Sequence, residues 1–114
     1  MRKSIRAAVI KRDRFCVKCG SAVDKDCAVH HRKLRSQAGK DVLSNLIALC
    51  HACHNLGSDS VHLNPRTAAE NGWIVKSFED PALVPVRYQQ DRWVYLDDEG
   101  TVRDVEDGMV EVKW

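Results

Sequence analysis

Apolar side chains recur with a helical period in only one clear stretch near the start of this chain. In Ser4–Arg12, Ile5, Ala8 and Val9 share one side while Lys3, Arg6 and Lys11 point largely outward, which predicts a short amphipathic helix. The apolar runs that follow are short. Cys27–His31 (CAVHH) and Asn45–Leu49 (NLIAL) read as strands flanking a polar loop, Arg32–Asp41, that contains Ser36-Gln37-Ala38-Gly39. Cys50–Leu56 (CHACHNL) has the length of one or two helical turns. Asn64-Pro65 supplies an N-cap and a first-turn proline, and Gly72 a stop, so a helix is predicted over Pro65–Asn71, with Trp73-Ile74-Val75 leaving it as a strand. Beyond Pro81 and Pro85 the period becomes two. Arg92–Leu96, Thr101–Val105 and Met109–Trp114, separated by the turns Asp97–Gly100 and Glu106–Gly108, predict an antiparallel meander anchored by Trp73, Trp93 and Trp114.

Composition adds a shortage and an asymmetry. The 114 residues are 44% hydrophobic but only 6% aromatic, so large core side chains are few and something besides burial is expected to hold the domain together. No run approaches the roughly 18 apolar residues of a membrane span, and charges interrupt the amino-terminal region where a signal peptide needs its apolar centre, which predicts a cytoplasmic protein. In that compartment five cysteines, an odd number, point to metal rather than to disulfides. The net charge of +2 is unevenly distributed: residues 1–40 carry 12 Lys/Arg against 3 Asp/Glu, residues 41–76 carry 2 against 3, and residues 77–114 carry 4 against 10. The basic first third suits a polyanion such as nucleic acid, and the acidic last third cannot share that task.

The cysteines fall into two Cys-x2-Cys pairs, Cys16/Cys19 and Cys50/Cys53, with 30 residues between them. Four thiolates in tetrahedral array make a closed structural zinc site, and Gly20 supplies the positive φ that such a thiolate turn often needs. Cys27 stands outside both pairs and is expected to be an ordinary buried residue. His54 directly follows the last thiolate, which predicts a ring aimed at the strand that carries His30 and His31. Neighbours on a strand face opposite ways, so one of these two histidines can ligate a second, open metal centre while the other addresses a water. His51, inside the second pair, is expected to face solvent.

The ordered set Cys16-x2-Cys19, His30-His31, Asn45-Leu46 and Leu49-Cys50-x2-Cys53-His54 resembles the HNH endonucleases of the ββα-metal class. The likeness extends to small phage and actinobacterial members through Val29-His30-His31-Arg32-x-Leu34-Arg35-Ser36-Gln37-x-Gly39 and His62-x-Asn64-Pro65-x2-Ala68-x3-Gly72-Trp73. The resemblance implies an α+β fold: a small zinc-stabilised ββα-metal core over residues 1–76, led by a basic helix, with an acidic β subdomain or extension over residues 77–114. It implies that His31 is the general base that activates water against a phosphodiester, that Asn45 fixes the first loop or orients that base, and that His30 and His54 ligate a catalytic divalent ion. His62 enters as a third ligand, displaced by an apparent insertion at Gly57-Ser58-Asp59-Ser60. Mg²⁺ or Mn²⁺ is the expected catalytic ion, with Ni²⁺ and Zn²⁺ as alternatives, and the products carry 5′-phosphate and 3′-hydroxyl ends.

Arg12, Arg14, Lys18, Arg32, Lys33 and Arg35 are the expected phosphate contacts on double-stranded DNA. The resemblance also implies a phage-encoded enzyme, monomeric or weakly dimeric, working beside the packaging terminase or another phage protein. The competing reading is a catalytically inactive, zinc-stabilised DNA-binding or adaptor module.

Overall fold

The computed structural model describes residues 1–105, and the predicted last strand, Met109–Trp114, lies outside the described residues. Helix α1 (Lys3–Asp13) leads into the first cysteine turn. Strands β1 (Ala28–His31) and β2 (Leu46–Leu49) then pair antiparallel, with His30 opposite Ile47 and His31 opposite Leu46. One π-helical turn, Ala52–Leu56, follows β2 at once and completes a strand–strand–helical-turn unit. Helix α2 (Pro65–Glu70) comes next, and β3 (Val86–Tyr88), β4 (Arg92–Leu96) and β5 (Val102–Asp104) close the described chain as a three-stranded antiparallel meander. No helix among the described residues is long and apolar enough to cross a membrane.

β2 is buried along its whole length, and alternation along the strand divides the interior into two clusters. Leu46 and Ala48 pack with Val9 of α1 and Cys27. Ile47 and Leu49 face the larger cluster, where Cys16, Val17, Cys53, Val61, Ala68 and Trp73 meet Val86, Tyr88, Val94 and Leu96 of the meander. The interior is therefore continuous across residue 76. A buried polar knot ties the same layers together: the Asp13 carboxylate accepts from the Arg12 guanidinium, the Tyr88 hydroxyl at 2.7 Å and the backbone N–H of Ala48 at 2.9 Å.

The long connection between β1 and β2 is held in a tight fold. Gly39 N–H donates to Leu34 O at 2.9 Å, and a Cβ on Gly39 would come within 1.7 Å of the Lys33 carbonyl oxygen, so only glycine fits there.

Three expectations need correction, and one strand had not been expected. Trp73–Val75 is no strand; Trp73 is buried with its indole N–H on Arg87 O, and Val75 N–H donates to Arg32 O. Trp93 is 40% exposed and anchors nothing. Asn64 stands at the N-cap position of α2, but its side chain accepts no hydrogen bond from the helix, and its Nδ2 donates to Ser58 O and Ser60 O. β3 escaped the pattern reading, although its alternation of buried Val86, exposed Arg87 and buried Tyr88 directly after Pro85 carried the signal.

Candidate active site

The two cysteine turns close on each other. Gly20, at φ 82°, lets its N–H reach Cys16 O at 2.8 Å, and Cys19 N–H points at Cys16 Sγ, which places both sulfurs on one side of the turn. Cys50 lies between β2 and the π-helical turn, Cys53 lies within the turn, and all four Sγ atoms lie within 4.8 Å of one another. A zinc ion with Zn–S bonds of about 2.3 Å needs tetrahedral S···S edges of about 3.8 Å. Cys19 and Cys50 are separated by 3.8 Å. Burial pushes the Cys16 and Cys53 thiols up, whereas at Cys19 burial is outweighed by hydrogen bonds from Ser21, which bring it down to about 6. Four sulfurs this close fit a cation that makes thiolates of all of them. The donor set and spacing suggest a structural zinc site.

A second cluster adjoins the first. His30 at the end of β1, His54 and His62 bring one ring nitrogen each to within 4.8 Å of one another. The loop after the π-helical turn explains how His62 arrives. Val61 N–H donates to Cys53 O and His62 N–H to His54 O, so residues 57–60 bulge outward and return the chain alongside its own earlier turn. The Asn64 amide secures that bulge from below. The Nε2 atoms of His54 and His62 are 3.0 Å apart. His30 is buried and its Nε2 lies 2.8 Å from Trp73 O. A carbonyl only accepts, so Nε2 carries the hydrogen and Nδ1 keeps the lone pair, the arrangement metal-ligating histidines commonly adopt. Burial lowers His30 to about 3 and also pulls His54 below its ordinary value, so both rings are neutral and fit to ligate near pH 7.

His30, His54, His62 and His31 line one shallow cleft of about 220 Å³ together with Val29, Leu34 and Arg35. His31 is half-buried there and pairs with Asp41, a residue the pattern reading missed because nothing in its spacing sets it apart from other surface carboxylates. Asn45 is buried and touches loop backbone rather than a histidine: Oδ1 accepts from Lys33 N–H at 2.7 Å, and Nδ2 donates to Lys33 O and Lys40 O.

Residues 16–60 match the family model described as HNH endonuclease. The chain carries an HNH-family domain. No curated protein and no solved structure matches it. Within this HNH domain the matched segment contains both cysteine pairs, His30, His31, Asn45 and His54 and ends just short of His62. The small α+β architecture with β1, β2 and the helical turn is that of the ββα-metal core, and its metal cluster is consistent with a nuclease-type site.

The expected phosphate contacts divide. Arg35 is exposed on the rim of the histidine cleft, Arg14 is exposed beyond α1, and Lys33 is half-buried beside the clamped loop. Lys18 pairs with Asp59 at 3.2 Å and lies over the Trp73 ring. Arg12 and Arg32 require correction, because both are structural. The Arg12 guanidinium is consumed by Asp13, Leu43 O and Leu46 O. Arg32 is 0% exposed and donates to four carbonyls, those of Gly72, Ser44, Pro81 and Val84, while burial lowers it to about 9.

Proposed function

We propose that this chain is a metal-dependent HNH DNA endonuclease that hydrolyses phosphodiester bonds. The observation that carries the reading is the meeting of three imidazoles, a fourth histidine with a carboxylate partner and an exposed arginine around one cleft. His30, His54 and His62 would hold a catalytic divalent ion, which supplies a Lewis acid for the scissile phosphate and for charge on the departing 3′ oxygen. An all-imidazole set suits transition ions such as Mn²⁺, Ni²⁺ or Zn²⁺ better than Mg²⁺, which prefers oxygen ligands. His31 takes the proton of the attacking water, and Arg35 at the rim orients the phosphate.

The basic segment 1–40 supplies affinity for double-stranded DNA through phosphates rather than through base reading. A phage setting beside the packaging terminase rests only on the resemblance of the Val29–Gly39 and His62–Trp73 segments. Supercoiled plasmid incubated with the zinc-loaded protein and a series of divalent ions tests the activity. Nicked circles that vanish in His31→Ala support it, and binding without cleavage at every ion would make the chain a DNA-binding or adaptor module.

A further inference from the structure

Asp41 is given no task of its own beside His31 in the reading above. Its Oδ1 lies 2.6 Å from His31 Nε2. A carboxylate can only accept, so Nε2 carries the hydrogen and the neutral ring keeps its lone pair on Nδ1. The placement of Asp41 follows from the clamped loop. One buried amide, that of Asn45, grips Lys33 at the start of the loop and Lys40 at its end, and Asp41 is the next residue. Arg32 N–H also donates to Asn45 O at 2.8 Å, which fixes the chain immediately after His31. No other side chain pairs with the His31 ring among the described residues, and the amino terminus approaches the far oxygen of Asp41 at 3.8 Å.

We propose that Asp41 is a positioning residue for His31, fixing the Nε2–H tautomer so that Nδ1 accepts the proton of the attacking water, and that Asn45 acts on the base through the loop and Asp41 rather than by touching the ring. The inference rests on the nuclease reading. In the step it describes, water gives a proton to Nδ1 while its oxygen bonds to phosphorus, the bond from phosphorus to the 3′ oxygen breaks, and that oxygen takes a proton from solvent. Asp41 stays ionised and pairs with the imidazolium until the ring returns its proton to water. A ring free to turn or to exchange tautomers would offer a donor where an acceptor is needed.

The test uses the full chain, zinc-loaded and labelled with ¹⁵N-histidine, as wild type, Asp41→Ala and Asp41→Glu. Long-range proton–nitrogen correlation at pH 8 reads the His31 tautomer without substrate, and plasmid nicking gives kcat and KM. We expect Nε2–H in wild type, loss of that preference in Asp41→Ala with kcat down by ~10²-fold at unchanged KM and metal content, and recovery of at least about tenfold in Asp41→Glu. A wild-type His31 protonated on Nδ1, or an Asp41→Ala protein with wild-type kcat and tautomer, overturns the proposal. If wild type cuts nothing, the nuclease reading fails, and a tautomer shift in Asp41→Ala still supports the pairing.

Discussion

Replacing Arg32 by Met separates a structural arginine from a DNA-binding one. The substitution keeps most of the apolar volume and removes the guanidinium donors from Gly72 O, Ser44 O, Pro81 O and Val84 O. Gly72 and Ser44 are themselves buried, so their carbonyls lose their partners out of reach of water, at about 1–3 kcal/mol each. Pro81 and Val84 are half-buried, and water can replace the guanidinium there at little cost. Against this loss, the variant no longer desolvates a cation, which offsets part of it. The net expectation is roughly 3 kcal/mol, a substantial share of the ~5–15 kcal/mol that holds a domain together. For a chain of this size that is a fall in Tm of about 10 °C. Urea denaturation at fixed free Zn²⁺ measures the stability, and DNA affinity against salt concentration measures the phosphate contacts. Arg32→Met should lower the urea midpoint and leave the salt slope alone, whereas Arg35→Ala should do the reverse and reduce the slope by about 0.9. An Arg32→Met protein of wild-type stability but reduced slope would refute the assignment.

Cys16→Ser should lose both the bound zinc and cooperative folding, because the thiolate site substitutes for a larger core; metal analysis beside circular dichroism checks this, and a folded, zinc-free variant would contradict it. With the histidine cluster metal-free, His30 is held at about 3 while the unfolded chain titrates near 6.5, so the unfolded state takes up the extra proton as the pH falls. Its contribution is therefore complete above about pH 6.5 and is lost toward pH 3 at ~1.4 kcal/mol per pH unit; denaturation midpoints that stay flat from pH 7 to 5 would count against a buried neutral ring. Truncation after Val86 removes Tyr88, Val94 and Leu96 from the larger cluster and the Tyr88 hydroxyl from Asp13, and should abolish cooperative folding; a shortened chain with a sharp unfolding transition would show that the meander is separable.

What could be read from the sequence was what local chemistry encodes. Cys-x2-Cys spacing fixes the reach of a thiolate turn, so both halves of the zinc site were legible before any fold was known. The short apolar runs in CAVHH and NLIAL marked β1 and β2, and His54 followed from its place beside Cys53. His62 was harder, because its arrival depends on how the loop at residues 57–60 folds back, although the shift in spacing already hinted at an insertion. Arg32 and Arg12 were misassigned for a different reason. A basic residue beside a catalytic strand reads as surface when its acceptors are backbone carbonyls, since any sequence supplies carbonyls and only the tertiary fold gathers four of them around one guanidinium. Asp13 and Asp41 are the same kind of omission: Asp13 acquires its role from Tyr88, 75 residues away, and Asp41 from a loop clamped by a buried amide.

The central claim is that the histidine cleft hydrolyses DNA with His31 as the base. Its most direct test is single-turnover nicking of supercoiled plasmid by zinc-loaded wild type and His31→Ala, each supplied with Mn²⁺, Ni²⁺, Zn²⁺ or Mg²⁺. The account predicts nicked product from wild type with at least one ion, and a loss of ~10²–10⁴-fold in His31→Ala at unchanged DNA affinity and metal content. Equal rates from the two proteins, or no product from a wild type that binds both DNA and the ion, would contradict it.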